Sequence, residues 1–597
     1  MLLFLAGTGR LAAATGETAT VIVEAPPLRL PAAAPETFSV AGVAAGVPGV
    51  TLSSQGYLAP QSDLRIRGSS FDSCGFLLSG LALRNPQSEH FQSELPLPEE
   101  ILLEPVLLTG LDRFRLSPGY PSGSLSLDFA SAAPGGFFEY GAGNRDHRFG
   151  RLLAGEARRF PSGSRAGGTV FAAFDRVGRT DGQADNDLDR WQAGGHGEYR
   201  DGALRADLLA AYATRDFGAR GFYGAPPDWP ASEEVDDGLL LATVRGEPAI
   251  GVSARLTAAW RRVEDLYLLD RDRPALYADR TRSDVLGLHA QMHGSPGGPW
   301  SADARADADW ERVDGAHEGA MAAEAPGRRD RRRAAFALLP ARAAGPLTFQ
   351  AGAAAEIFSD DRAAWLPAAG VTWRFRPEQS ASASYSEAVQ PPSLAERSGN
   401  PAGAPDAAAA ERLHTRTVET GWRFETAPLI AQVALFAERA RHAADWARLS
   451  GDAPWTAVSL GEVRTFGCEA AGACVLAERC DLTLSYRALD READGAAGAS
   501  RYALDYPRHE VRAGLRLRSG RRLRFHVWQA WAAYAGNTAR SGPDEQHAAG
   551  AEVAWHAWPG KATLTLGALN PWDDPFQVFP GQPAEGRRLY AAGRLEW

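Results

Sequence analysis

From Ser301 to Glu311 the chain alternates without a break. Ala302, Ala304, Ala306, Ala308 and Trp310 share one parity; Asp303, Arg305, Asp307, Asp309 and Glu311 share the other. Successive side chains of a β-strand point to opposite faces, so this segment makes a strand with a small apolar surface on one side and a fully charged one on the other. Val252 to Arg261 repeats the pattern, with Val252, Ala254, Leu256, Ala258 and Trp260 set against Ser253, Arg255, Thr257 and Arg261. Val511 to Val527 reads as a hairpin around Ser519-Gly520-Arg521. A soluble sandwich shares this period, but its strands average about 5–6 residues and rarely carry a charge at every polar position. Strands of about ten residues with one charged face fit a closed membrane barrel, apolar towards lipid and polar within. The roughly 460 residues from position 134 onward supply about 22 such strands, a size whose lumen is plugged.

Composition points the same way. Hydrophobic residues make up 45% of the 597, yet they are scattered, and no run of about 18 is apolar, so no helix crosses a bilayer. With a negative mean hydropathy, membrane residence requires a barrel. The net charge of −10 argues against a nucleic-acid partner. Lys561 is the only lysine among 63 basic residues, a bias that reflects genome composition rather than anion binding. Of twelve histidines, His289 and His293 are spaced His-x-x-x-His and His414 follows Glu411 as Glu-x-x-His, but nothing resembles Gly-x-Ser-x-Gly or a nucleophile with its base and orienting group, and an enzymatic role is rejected. Four cysteines in so long a chain are no disulfide framework. Cys474 and Cys480 flank the turn Leu476-Ala477-Glu478. Centred on Ala477 they oppose each other within disulfide range, which leaves a bridge and two separate buried thiols both open. Cys468 and Cys474 cannot pair, because six residues of one strand span roughly 20 Å.

The first residues have a different character. Met1 to Ala14 is apolar and ends in Leu11-Ala12-Ala13-Ala14, but it has no basic flank, so residues 1–16 read as a weak or truncated export signal. In the linker 17–35, Thr18, Ala19, Thr20, Val21, Ile22, Val23, Glu24 and Ala25 form an isolated β-branched octet closed off by Pro26-Pro27. Such an octet cannot bury itself and suits addition to the sheet edge of another protein. Further on, Asp185, Asp187 and Asp189 place carboxylates at every second position after Asp181-Gly182. Hard oxygen ligands in a loop suit calcium; the Gly and terminal Glu of an EF-hand are absent, and a solvated acidic loop is the alternative.

Residues 36–133 carry Val47-Pro48-Gly49-Val50, Arg65-Ile66-Arg67-Gly68-Ser69-Ser70, Leu83-Arg84-Asn85-Pro86-Gln87, Leu95-Pro96-Leu97-Pro98 and Gly119-Tyr120-Pro121-Ser122-Gly123-Ser124-Leu125-Ser126-Leu127. In this order and at this spacing they resemble the plug domain of TonB-dependent outer-membrane receptors, gated barrels that import scarce nutrients. Ser384-Tyr385-Ser386 with Pro392-Ser393-Leu394-Ala395-Glu396 resembles the mid-barrel signature of that family. Asn570-Pro571-Trp572-Asp573-Asp574-Pro575, Gly586-Arg587-Arg588 and the terminal Trp597 resemble its closing segment. The resemblance implies an all-β transmembrane barrel of about 22 antiparallel strands over 134–597, with an α+β plug inside the lumen. It further implies an integral protein of the bacterial outer membrane, monomeric, surrounded by lipid and needing no cofactor beyond calcium. Residues 18–25 become the TonB box, pulled by the periplasmic protein TonB, and Arg67 becomes a latch paired with Glu419 and Glu469 on the inner wall. Two departures bear on how readily the plug moves: the family's Arg-Gly-Pro is Thr109-Gly110-Leu111, and its Asp-Gly-Val turn is Ser79-Gly80-Leu81.

Within the family, Asp216 to Gly224 and Arg261-Arg262-Val263-Glu264-Asp265 with Pro274 to Tyr277 look like segments of cobalamin-receptor-like members. On that reading Arg84, Asn85, Gln87, His90 and Phe91 of the plug, with Phe222, Tyr223, Trp229 and Tyr277, contact a large, amide-rimmed corrinoid. Arg220 stands near Asp228, Glu233, Glu234, Asp236 and Asp237, a mixed vestibule that suits a corrinoid better than an anionic ferric catecholate. The alternatives are a ferric-siderophore receptor and a surface binding protein or adhesin that does not transport.

Overall fold

The computed structural model describes residues 40–117, 119–178, 187–225, 229–295, 297–321, 327–393, 411–448, 455–476, 479–495 and 498–597. The octet 18–25 therefore lies outside the described residues. Twenty-two long antiparallel strands run from Gly135–Gly143 to Arg588–Glu596, and the last pairs with the first to close a barrel. Closure leaves no sheet edge, the condition for strands in a medium that cannot hydrogen-bond. At the seam Gly136 and Trp597 exchange backbone hydrogen bonds of 3.2 and 3.1 Å. Among the described residues no helix is long and apolar enough to cross a membrane.

The two ends of the barrel differ. At one end strands join through tight turns around Gly202, Gly345 and Gly520, each with positive φ. Ser519 pairs with Leu523, so the last of these turns is Gly520-Arg521-Arg522, one residue beyond the expected position. At the other end the connections are longer, as in 219–231, 269–277 and 570–587.

The alternation in the sequence becomes the two faces of the wall. Asp303, Arg305, Asp307, Asp309 and Glu311 are buried in the lumen, while the intervening alanines face outward. The inward charges pair across strands: Arg331 with Glu311 at 2.6 Å, Arg333 with Asp309 at 2.8 Å and with Glu356 at 2.9 Å. Outside, Leu256, Leu286, Phe336 and Leu338 are exposed, with Trp300, Trp365, Trp373, Trp555, Trp558 and Trp597 among the exposed aromatics. Exposed apolar area on this scale needs a lipid neighbour.

Inside the barrel sit α1 (Val40–Ala45), β1 (Val50–Gln55), β2 (Gln61–Ile66), β3 (Cys74–Leu78), β4 (Leu81–Ala82), β5 (Val106–Leu108), α2 (Gly110–Leu116) and β6 (Gly123–Leu127). β1 and β2 form a hairpin; the other four strands form a sheet in the order β4-β3-β6-β5, with β3 and β6 parallel. Ile66, Phe76, Leu78, Leu125, Leu127 and Phe129 are its buried apolar contacts. Ser79 and Gly80, at φ +50° and +84°, make the tight turn from β3 to β4, so the altered triplet still turns the chain. A Cβ on Gly80 would lie 2.5 Å from His289 Nε2 on the wall, a second reason for glycine there. Asp128, just after β6, is clamped by Arg245 at 2.6 Å and Arg255 at 2.7 Å.

The expected cysteine register is corrected. Leu476 pairs with Cys480, which puts Cys474 opposite Leu482, two ladder positions from Cys480. This register is displaced from the expected one, and that shift separates the sulfurs. All four cysteines are free, and Cys474 and Cys480 are half-buried rather than buried.

Candidate functional site

The chain leaves β2 through Arg67 and Gly68, both left-handed at φ +56° and +69°, and this corner aims the Arg67 side chain at the barrel wall. Its Nη1 donates to Glu419 Oε2 at 2.6 Å and its Nε to Glu469 Oε2 at 3.0 Å. The guanidinium lies 3.9 Å from the ring centroid of Phe436. Two carboxylates and an aromatic face hold the buried cation charged against the cost of desolvation, and raise its pKa above the ordinary arginine value. The Val47-Pro48-Gly49-Val50 segment has a physical role here. Gly49 accepts the Arg67 backbone N–H at 3.2 Å, and a Cβ on Gly49 would sit 2.9 Å from Glu469 Oε1.

Thr109 stands where the resemblance has a second arginine, and at the next residue, Gly110, a Cβ would lie 3.1 Å from Glu419 Oε2. One turn further on, α2 supplies Arg113, fully buried, which donates to the Ser386 hydroxyl at 2.9 Å. Burial opposes its charge, while Glu438 and Glu419 are the carboxylates that favour it. Sequence reading missed Arg113, whose signal was a basic residue three positions after Gly110, set between Asp112 and Phe114.

After Arg67 the plug chain continues through Ser69, Ser70 and a short 3₁₀ turn, Phe71–Ser73. Between this loop and the wall lies a narrow cleft of about 50 Å³, lined by Ser69, Ser70, Asp72, Ser73 and Ser122 of the plug and by Gln390, Thr415, Glu438, His442 and Arg491 of the barrel, among others. It is rich in hydroxyls and carboxylates. Beside it runs a chain of aromatic rings. His90 stacks on Phe71 at 4.2 Å; Phe71 meets Tyr502 edge-on at 5.2 Å and Tyr502 meets Phe579 at 4.8 Å. On the other side Tyr223 lies 5.7 Å from His90 and 5.3 Å from Tyr267.

A family model described as "TonB dependent receptor-like, beta-barrel" matches residues 119–572. The chain belongs to the TonB-dependent receptor family. Such a barrel is an integral outer-membrane protein, so its tight-turn end is periplasmic and its long-loop end extracellular. A comparison with curated proteins returns no match. Among solved structures, the siderophore receptor PirA from Acinetobacter baumannii superposes with a TM-score of 0.72 at 12% identity, covering 95% of this chain and 97% of that one. The FrpB iron transporter from Neisseria meningitidis gives 0.74 at 12% identity over 94% and 97%. The copper transporter OprC gives 0.74 at 14% identity over 94% and 96%. At these identities the likeness is one of fold.

The receptor's expected ligand contacts divide in two, and part of that expectation is corrected. Arg84, Asn85, Phe91 and Phe222 are fully buried, out of reach of any ligand in the vestibule. The segment 84–94 folds back between plug and wall rather than rising into the mouth. Arg84 donates to Gly119 O at 3.2 Å and lies over the Tyr120 ring. Asn85 Oδ1 accepts from the Gln87 backbone and from the Ser283 hydroxyl. Phe91 lies beneath Arg215, and Phe222 packs with Tyr57 and Phe217. His90 is buried too, its Nδ1 2.7 Å from Asp63, though its ring takes part in the aromatic run. Gln87, Tyr223, Trp229 and Tyr277 keep exposed surface. Tyr223 points its hydroxyl inward to Glu233 at 2.9 Å and leaves its ring edge to solvent. Of the three aspartates offered for calcium, Asp185 lies outside the described residues. Asp187 is held by Arg271 at 2.9 Å and Asp189 faces Arg176 at 3.7 Å. Among the described residues no three metal-ligating side chains converge.

Proposed function

We propose that this receptor imports a large neutral or cationic nutrient, a corrinoid in preference to a ferric tris-catecholate, and that the ligand acts on the plug through the cleft beside Arg67. One observation carries this reading: Ser69, Ser70, Asp72 and Ser73 line the cleft, and the same loop begins at the arginine that ties plug to wall. A ligand edge hydrogen-bonded to those serines pulls on the chain two residues from the latch. The charge class follows from Asp72, Glu411 and Glu438 in the cleft against Arg491 and His442. A trianionic chelate meets repulsion there, whereas amide groups find hydroxyl and carboxylate partners. The cleft is far smaller than a corrinoid and takes only one polar group of its rim; Phe71 and Tyr223, the rings of the aromatic run that keep exposed surface, are left for the bulk. Residues 18–25 serve as the TonB box in this scheme, offering a strand to TonB.

Titrating the purified receptor with cyanocobalamin and with ferric siderophores tests the substrate, and uptake by cells expressing a 18–25 deletion tests the mechanism. Corrinoid binding with uptake lost on deletion is the expected result. Tight binding of a ferric chelate with none of corrinoid removes the substrate assignment alone. Uptake that survives the deletion removes the TonB-box assignment.

A further inference from the structure

On the outer wall the strands Gly327–Ala344 and Leu347–Phe358 lose their ladder for two positions. Leu338 pairs with Ala353 and Ala341 with Gln350, but Leu339 and Pro340 have no partner between them. Proline has no N–H to donate, so a ladder running through Pro340 is interrupted there. Gly352 lies opposite the gap, where a Cβ would collide with the Leu338 carbonyl. At this interruption the lipid-facing surface hollows into a groove of about 750 Å³, with far more apolar than polar lining.

The register orders the groove. Trp300, Arg342, Phe349, Val371 and Ala383 stand in one row across five neighbouring strands. Ala351, Ala369 and Tyr385 stand in the next row, in line with Pro340. Pro340, Arg342, Phe349, Ala351 and Ala369 are all exposed on the outer face. Small side chains form the floor and aromatic ones the walls. Trp300 is the first residue of its strand, at the periplasmic rim, whereas Ala383 is the fifth of Gln379–Gln390. The row therefore climbs from the headgroup level into the hydrocarbon by roughly 13 Å along the strand. At its lower end the Arg342 guanidinium lies 5.5 Å from the Trp300 ring and, among the described residues, has no carboxylate partner.

We propose that this groove is a binding site for one glycerophospholipid of the periplasmic leaflet, its phosphate on Arg342 and one acyl chain laid over Ala351 and Ala369 towards Tyr385. The position in the membrane selects the occupant: lipopolysaccharide resides in the opposite leaflet, and an unpaired arginine beside an interfacial tryptophan matches a phosphodiester. The groove also gives Pro340 a purpose, since an unbroken ladder would keep the wall flush.

Native mass spectrometry of the receptor, extracted in mild detergent and washed free of annular lipid, tests this. The wild type should retain one phospholipid per barrel. Arg342→Gln should lower retention about fivefold, the effect of one basic contact to an anionic headgroup. Ala369→Trp, which fills the floor, should abolish it, and Leu566→Trp on a distant part of the lipid face should change nothing. Heat-modifiable gel mobility shows that each barrel is folded. Wild-type receptor stripped bare by the wash, a lipid that persists in Ala369→Trp, or lipopolysaccharide as the retained molecule would each overturn the assignment.

Discussion

Replacing Arg67 by alanine should free the plug while leaving the barrel intact. Removing one partner of a buried ion pair costs about 3–5 kcal/mol. The side chains of Glu419 and Glu469 retain 19% and 16% exposure, so the lower end applies, and about 3 kcal/mol raises the population of opened plug roughly 100-fold. Cys74 reports that opening. It lies at the start of β3, 1% exposed, with its sulfur 3.3 Å from the Ile66 N–H and 3.1 Å from the Ser69 hydroxyl. Burial pushes its thiol up to about 11, so the closed plug is inert to maleimide. With Cys468, Cys474 and Cys480 replaced by alanine, the labelling rate of Cys74 follows the open fraction, and Arg67→Ala should speed it about 100-fold. Arg67→Gly supplies an internal check. It loses the same ion pairs but relieves the strain of φ +56°, worth about 1 kcal/mol, and so should label roughly fivefold more slowly than Arg67→Ala. If Arg67→Ala labels within about threefold of the wild-type rate, the latch contributes nothing and the reasoning fails.

Plug release should also depend on pH. Burial pushes the Glu89 carboxyl up to about 8 and that of Glu94 up to about 7, from 4.5. The folded plug then holds protons that the unfolded chain gives up, so this stabilisation is complete below about pH 4.5 and is lost as the pH rises through 7 to 8. The urea midpoint for plug release should fall between pH 5 and pH 8.5, and Glu89→Gln should flatten the profile; a midpoint that rises with pH would contradict it. Denatured and alkylated without reductant, the receptor should carry four alkyl groups, one for each free thiol. A product two groups short would mean that the strand register around Cys474 and Cys480 is wrong.

Much of this receptor is legible in its sequence because a membrane wall is a local construction. The inward or outward direction of Asp303 or Ala304 depends only on strand parity, and lipid on one side with a charged plug on the other forces the same alternation on every strand. The Arg-Gly and Pro-Gly motifs were legible for a related reason: Gly49 and Gly68 mark backbone corners that few other residues can turn. Arg67, Glu419 and Glu469 could be named together from the family resemblance, although 352 residues separate Arg67 from Glu419, and the structure puts them in contact. What depends on packing between distant segments was not legible. Whether Arg84 to Phe91 rises into the vestibule or folds under it is decided by Tyr120, Ser283 and Arg215, contributed by other parts of the chain. Arg113 was invisible because its role exists only when α2 is docked against Ser386. The cysteine pairing turned on where the two strands come into register, which the alternation within each strand does not fix. The sequence by itself determined the two faces of the wall and the corners of the plug, since each is set by neighbours a few residues away. The tertiary structure alone decided which plug side chains meet the wall, which meet the vestibule and where a proline opens the outer face, since those depend on how two independently patterned surfaces come to rest against each other.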